Sequence, residues 1–343
     1  MLQPQLLSSN HFWTKKGICY NLNMKFGLLS KYFPSPQFLK PPHIGISFSD
    51  SNIKAILFDK TQKEPSLKSV IVPIEKGGIV EGKIVDIESV IKALSTVRSS
   101  FDSSFVFFAI PDELTFVFTT SVSVGPKSNP AESIAFVMEE NVPLSLGEVI
   151  FDFVPTEIIK SDLEYEASFV VSVCVKKEVE KLIEALQKVG FETLGCIHES
   201  QAIANAIVKK DFSDTLSIIH ARENRVGIYL VKNNIVHFST LREASGATYK
   251  KQFLDEYEKF LDYSLKYGIG QNKSVKSVLI CGEFQYTKEI LEAINDSSKI
   301  DNNVTLSNVW SNVFEIDKHM PGIPYEKSLS FAGPIGGVLS DVS

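Results

Sequence analysis

Apolar positions along the chain fall into short clusters with two different periods. At 44–48 and 53–58 they fill strand-length stretches on either side of a Ser/Asp/Asn turn, which predicts a β-hairpin. A further strand is predicted at 70–73. Ile87, Val90, Ile91 and Leu94 recur at helical spacing, which predicts a helix over 86–99, and a strand follows at 105–110. A second set of the same elements opens about 170 residues later. It has strands at 216–219 and 226–231 around the polar turn Ala221-Arg222-Glu223-Asn224-Arg225, then a strand at 235–241. Ser245-Gly246 leads into a long helix over 248–267, followed by a strand at 278–281 and a helix at 287–295. Two hairpin-led α/β halves suggest an internal duplication, which places a ligand in the cleft between them.

The stretch between the halves has another plan. A strand at 115–121, a helix at 131–141 and a strand at 148–155 predict a small inserted subdomain. A strand at 167–175 and a helix at 178–189, closed by Gly190, are expected to return to the first half. A helix at 199–208 would join the halves. The expected division is a tail over 1–40, a first domain over 41–112 and 165–210, an insert over 113–164, and a second domain over 211–343.

Composition narrows the partners. The 343 residues, 44% hydrophobic and 22% charged, suit a folded protein of two or three domains. A net charge of -6 argues against a general nucleic-acid binder and leaves room for a basic peptide. Cys19, Cys174, Cys196 and Cys281 lie far apart with no CxxC pair, against a disulfide framework or a zinc site and in keeping with a reducing cytoplasm. No apolar run approaches the roughly 20 residues of a membrane helix. Met24 opens the short basic run Met-Lys-Phe-Gly-Leu-Leu-Ser-Lys-Tyr-Phe. It reads as part of a tail, or as the true start of the protein, in preference to a membrane-surface contact. Pro34, Pro36, Pro41 and Pro42 make a stiff lead-in to the fold.

Several runs carry a family resemblance. Gly45-Ile46 with Ser51 and Lys54 is similar to a first phosphate hairpin. Ile79-Val80-Glu81-Gly82-Lys83-Ile84-Val85-Asp86 precedes the first helix as in that family. Ala109-Ile110-Pro111, Asn141-Val142-Pro143-Leu144 and Glu148-Val149-Ile150-Phe151-Asp152 resemble its insert. Gly190-Phe191-Glu192 and His198-Glu199-Ser200-Gln201-Ala202 resemble its inter-domain connection, and Ser307-Asn308-Val309-Trp310 and Ser328-Leu329-Ser330-Phe331-Ala332 its closing elements. In this order they resemble the actin-like ATPase superfamily, more narrowly the PilM family of type IV pilus assembly proteins, and its relative, the FtsA family of cell division. The implied fold is an α/β, actin-like (ribonuclease H-like) duplication with a small α+β subdomain inserted in the first half. The last residues hold no amphipathic membrane helix of the FtsA kind, which favours PilM.

The resemblance also implies a nucleotide site, which this sequence departs from. Such a site uses two phosphate hairpins, each with an Asp and a nearby Gly, and a Gly pair beside the adenosine. Here Ser47 replaces the first acid, and His220-Ala221-Arg222 stands where the second Asp-x-Gly would lie. His220 is a poor substitute for a magnesium-binding carboxylate. Arg222 would occupy phosphate space or pair with an anion. Only Gly282 of the adenosine pair and Gly246 of a second pair remain. The remnant site comprises Ser49, Asp50, Ser51, Asn52, Lys54, Ser245, Gly246 and Gly282, with no catalytic residue, no metal ligand and no required cofactor. Binding of ATP and magnesium without turnover stays open.

Other chemistry has little support. The six histidines are scattered, and none sits in a catalytic motif with Cys, Ser or an acid. The family resemblance implies a partner: the cytoplasmic tail of a PilN-like inner-membrane protein, bound in a groove between the first domain and the insert. Candidate groove residues are Phe116, Phe118, Phe136, Glu139, Glu140 and Phe153, an aromatic and acidic set suited to an apolar, basic tail. The alternation of Phe116/Phe118 and Phe151/Phe153 places each pair on one face, which favours core over groove. The expected role is a pseudo-ATPase scaffold of the pilus platform, cytoplasmic and peripheral at the inner face of the membrane, contacting other platform proteins and no nucleic acid. Two alternatives are a working ATPase and an FtsA-like filament-forming division protein.

Overall fold

The computed structural model describes residues 42–59, 66–124, 129–160, 165–267, 274–297, 303–314 and 321–340. The tail expected over 1–40, the segment opened by Met24 and Cys19 lie outside them. The first half runs β1 (Ile44–Phe48), β2 (Asn52–Asp59), β3 (Ser66–Pro73), the small hairpin β4 (Ile79–Val80) and β5 (Lys83–Ile84), α1 (Ile87–Ser99) and β6 (Phe105–Ile110). The insert follows with β7 (Thr115–Val124), α2 (Pro130–Asn141), β8 (Val149–Lys160) and β9 (Tyr165–Val175). The first half then resumes with α3 (Lys176–Lys188), β10 (Glu192–His198) and α4 (Glu199–Ile207). The second half comprises β11 (Leu216–Ala221), β12 (Arg225–Lys232), β13 (Ile235–Glu243), α5 (Tyr249–Tyr267), β14 (Ser277–Gly282), α6 (Phe284–Asp296), β15 (Asn303–Leu306), α7 (Tyr325–Ser328) and α8 (Ala332–Leu339).

The two main sheets repeat one topology. Their orders are β10-β6-β1-β2-β3 and β15-β14-β11-β12-β13. In each, three antiparallel strands lead, and two strands joined through helices add parallel to the first. The duplication read from the hairpins is therefore real. Strands β10 and β15 went unassigned from sequence. The first, Glu-Thr-Leu-Gly-Cys-Ile-His, lacks a clean alternation, and the second has only four residues.

Side-chain alternation explains the packing. Ile53 and Ala55 of β2 join Val90 and Leu94 of α1 and Leu182 and Leu186 of α3. Ile56 and Phe58 point the other way, into a cluster shared by both halves with Leu216, Ile218, Trp310 and Ile335. The Phe58 ring meets Trp310 and Phe314 edge-on, with centroids 6.1 and 5.6 Å away. Helix α8 closes this core. A Cβ at Gly336 would strike the Ala202 carbonyl, so only glycine lets α8 lie this close to α4.

The insert corrects one expectation. Strand β9 does not return to the first half: it is the middle strand of the insert's antiparallel sheet, β7-β9-β8, bonded on both sides. The insert therefore includes 165–175. The sequence misled because β9 runs straight into α3, its last residue Val175 serving as the helix N-cap. Phe116, Phe118, Phe151 and Phe153 flank Val171 and Val173 on one face. That face is the insert's core, filled from α2 by Ile134 and Met138.

Candidate functional site

The termini of several elements converge where the halves meet. Lys54 comes from β2, Asp112 and Glu113 from just beyond β6, and Glu199 from the first turn of α4. The second half supplies His220 at the end of β11, Arg222 in the following turn, Arg225 at the start of β12, and Glu283 before α6. Arg222 Nη2 lies 3.1 Å from Glu113 Oε1, and its Nη1 lies 3.7 Å from Glu199 Oε2. Arg225 Nη1 reaches the same Glu113 oxygen at 2.9 Å, and its Nη2 reaches Glu81 at 3.3 Å. Both arginines belong to the second half and all three carboxylates to the first.

A chain of buried polar contacts runs beside these pairs. The Tyr229 hydroxyl donates a hydrogen bond to Asp112 Oδ2, and His220 Nδ1 lies 3.2 Å from the same hydroxyl. Asp112 Oδ1 accepts from the Ser200 backbone N–H at 3.0 Å. The Ser200 hydroxyl lies 2.8 Å from His198 Nδ1, whose Nε2 lies 3.1 Å from the Ser172 hydroxyl of β9. The insert, the first half and the second half are thus tied through one polar seam.

Burial dominates the ionisation of this cluster. It pushes Glu199 up to about 8 and Asp112 up to about 6, in both cases against the attraction of Arg222. Burial would also raise Glu113, but Arg222 and then Arg225 hold that carboxyl below the usual range. Burial lowers Lys54, and it lowers His220 strongly, with Arg222 and Lys54 adding to the effect on the histidine. Glu199 is therefore mostly a neutral acid at pH 7, while Glu113 and Arg222 form a charged buried pair.

The space left between the two hairpins is small. A cavity of about 20 Å³, lined by Ser47, Ser49, Lys54, Glu199, His220 and Arg222 among others, has the room of a single water molecule. Asp112, Glu199 and His220 hold ligand-type atoms within 4.8 Å of one another. That set does not suit a divalent ion: Asp112 is already bonded to Tyr229 and Ser200, and Arg222 lies against Glu199.

With this geometry in place, similarity to known proteins becomes informative. The family model for the type IV pilus assembly protein PilM matches residues 45–265. The chain belongs to the PilM family. Among solved structures, a PilM-PilN type IV pilus biogenesis complex is similar over 87% of this chain and 98% of its own, with a TM-score of 0.70 and 14% identity. The ethanolamine utilization protein EutJ from Carboxydothermus hydrogenoformans is similar at a TM-score of 0.45 and 12% identity, over 89% of this chain and 91% of its own. The cytoplasmic domain of EpsL of the Vibrio cholerae type II secretion system gives 0.44 and 10%, over 71% and 82%. No curated protein matches the chain.

This PilM-family chain separates the residues singled out from its sequence. Ser49, Asn52 and Lys54 line the small cavity, whereas Asp50, Ser51, Ser245, Gly246 and Gly282 do not. The Asp50 carboxylate instead accepts from the backbone N–H groups of Glu81 and Gly82, each at 3.1 Å, and so holds the β4–β5 turn. Gly282, at φ +118°, is needed for its close approach to the Ala221 backbone. Ser245 and Gly246 lie exposed before α5, where the Ser245 N–H donates to the Gln252 side chain at 3.1 Å. Of the groove candidates, Phe116, Phe118 and Phe153 pack half-buried in the insert's core, while Phe136, Glu139 and Glu140 are exposed on α2. Asp112, Glu113, Tyr229 and Arg225 were not foreseen as site residues. The one sequence signal was the acidic pair Asp112-Glu113 directly after a strand that ends beside the first hairpin.

Proposed function

We propose that this chain is a non-catalytic scaffold of the type IV pilus machinery, cytoplasmic and peripheral at the inner face of the membrane. It binds the cytoplasmic tail of a PilN-like membrane protein and links that tail to other platform components. The observation that carries this reading is Arg222. Its guanidinium fills the gap between the hairpins, paired with Glu113 and Glu199, and the remaining 20 Å³ does not fit a triphosphate. An internal cation there removes the need for a nucleotide to hold the halves together. Where the two hairpins would carry an acid to orient magnesium stand Ser47 and His220, and the Asp50 carboxylate is spent on the Glu81 and Gly82 N–H groups. The insert supports the partner half of the reading: Phe136 is 73% exposed and shares its helix face with acidic side chains. Among the described residues no helix is long and apolar enough to cross a membrane.

Calorimetry tests both halves. Mg-ATP should give no binding heat and no phosphate release, while a synthetic peptide of the PilN-like tail should bind. Magnesium-dependent ATP hydrolysis that Lys54→Ala abolishes would overturn the non-catalytic reading in favour of a working ATPase.

A further inference from the structure

β7 is an outer strand of the insert sheet. One side is bonded to β9 along its length, and among the described residues no strand pairs with the other. Near its middle, the Thr119 hydroxyl donates to the His237 carbonyl of β13 at 3.1 Å. Beyond that point, the stretch Ser121-Val122-Ser123 borders an open groove of about 530 Å³ whose far wall is α2, through Glu132, Phe136 and Val137. Unguarded strand edges invite pairing, and proteins commonly block them with proline, lysine or bulges. The opposite edge of this sheet is blocked in that way: β8 carries Pro155, a register shift beside it, and a terminal Lys160. Edge β3 of the first sheet carries Lys68 and ends in Pro73. The Ser-Val-Ser-Val end of β7 has none of these devices.

The chain ahead of Pro42 lies outside the described residues, yet its sequence fits this edge. From Ile18 to Phe26 it reads Ile-Cys-Tyr-Asn-Leu-Asn-Met-Lys-Phe, with apolar side chains at 18, 20, 22, 24 and 26 and polar ones at 21, 23 and 25. A period of two is the pattern of a strand with one apolar face. Charge agrees. Residues 1–43 hold five lysines and no Asp or Glu, so the net charge of -6 divides into +5 there and -11 on the rest of the chain. On α2 the buried side is spent on Ile134 and Met138, which leaves Phe136 turned outward. Glu132, Glu139 and Glu140 share its face, and α2 has no basic residue to offset them. Two such grooves set against each other would oppose these acids, which disfavours a second copy as the occupant.

The length of chain suffices. Ile44 stands opposite Val106 in the first sheet, and Val106 lies 15 residues before Ser121. At about 3.3 Å per residue those positions are at most roughly 50 Å apart, while the 18 residues from Phe26 to Ile44 span up to roughly 59 Å. A segment arriving from the root of β7 runs back toward that root, antiparallel to β7. We propose that Ile18–Phe26 of this same chain adds to the free edge of β7 as a fourth, antiparallel strand of the insert sheet. Backbone hydrogen bonds to 121–124 supply the grip, and the apolar face of the segment covers Phe136 and Val137. Lys15, Lys16 and Lys25 bring positive charge to the rim formed by Glu132, Glu139 and Glu140. The inference goes beyond the functional reading above: with the segment seated, a partner that uses the Phe136 ring must first displace it.

The test uses the full chain and needs no partner. Alternate amides of 121–124 face away from β9, and these should exchange about tenfold or more slowly than in a chain carrying Tyr20→Lys and Leu22→Lys. Exchange in α1 should be the same in both, which shows that the rest of the fold is unchanged. Cys19 offers a second readout within the segment, since Cys174 and Cys281 are buried and Cys196 can be replaced by serine. A benzophenone attached to Cys19 and irradiated should join residues 117–140. In a mixture of isotopically heavy and light chains, those adducts should be heavy–heavy or light–light. Glu132→Lys with Glu139→Lys should reduce the adduct and its dependence on salt. Equal exchange at 121–124 in the parent and the Tyr20→Lys, Leu22→Lys chain would overturn the proposal, as would adducts scattered over the surface. Heavy–light adducts would assign the groove to the segment of another copy and also overturn it.

Discussion

Replacing Arg222 with methionine removes the charge that crosses the cleft while keeping most of the side-chain volume. Glu113 would keep Arg225 at 2.9 Å, but Glu199 would lose the guanidinium 3.7 Å away. Breaking one partner out of a buried pair costs about 3–5 kcal/mol because the other charge stays buried. The low end applies here. Arg225 remains on Glu113, and Glu199, already raised to about 8, can stay protonated. A loss of about 3 kcal/mol is a large part of the roughly 5–15 kcal/mol that holds a domain folded. Urea unfolding followed through Trp310, which lies in the core shared by both halves, would read it as a lower midpoint with an unchanged slope. The double variant Arg222→Met, Glu199→Gln is the control. It keeps Glu113 on Arg225 and removes the carboxyl left without a cation, so it should recover most of the loss. A single variant within about 1 kcal/mol of the parent, or a double variant as unstable as the single, would refute the reasoning.

Other expectations follow from the same structure. The folded-state pKa of Glu199, about 8, exceeds that of an unfolded chain, so its contribution to stability is complete below the usual carboxylate range and is lost as pH rises through about 8. Glu199→Gln should flatten that slope, raising the melting temperature at pH 8 more than at pH 5; parallel curves for parent and variant would contradict it. Gly336→Val should destabilise by about 1–3 kcal/mol or more, because a side chain there meets the Ala202 carbonyl, whereas Gly147→Ala, in open space, should be silent in the same melts. Phe136→Ser should leave stability within about 0.5 kcal/mol of the parent while weakening capture of the tail peptide; an unfolded variant would mean that Phe136 is core.

Legibility from sequence followed the range of the interactions. The two hairpins and the helices α1, α3, α5 and α6 are written in local periods, and they were readable to within a few residues at their ends. Asp86 even announces α1, its carboxylate accepting from the N–H groups of Glu88 and Ser89. Strand β9 has the right period, but its sheet could not be read, because pairing to β7 and β8 depends on chain reversals far from it. The seam at the cleft was the least visible part. Arg225 and Glu113 are 112 residues apart, and Tyr229 and Asp112 are 117 apart. No local pattern marks such partners. Arg222 could be recognised as misplaced for a phosphate site, but the carboxylates that neutralise it could not.

The cleft and the insert are mechanically one unit. Glu113, which both arginines grip, lies two residues before β7, so a rotation that parted the halves would pull on the root of the insert. It would also break the Asp112–Tyr229 bond and uncover Ile56, Phe58, Leu216, Trp310 and Ile335, which form one core across the halves. An actin-like cycle driven by a ligand needs two arrangements of similar free energy that the ligand can choose between. Here the buried ion pair and the shared apolar core both favour the closed arrangement, and neither involves a group that leaves. An insert carried on such a body keeps a fixed orientation, which suits holding a tail better than cycling it.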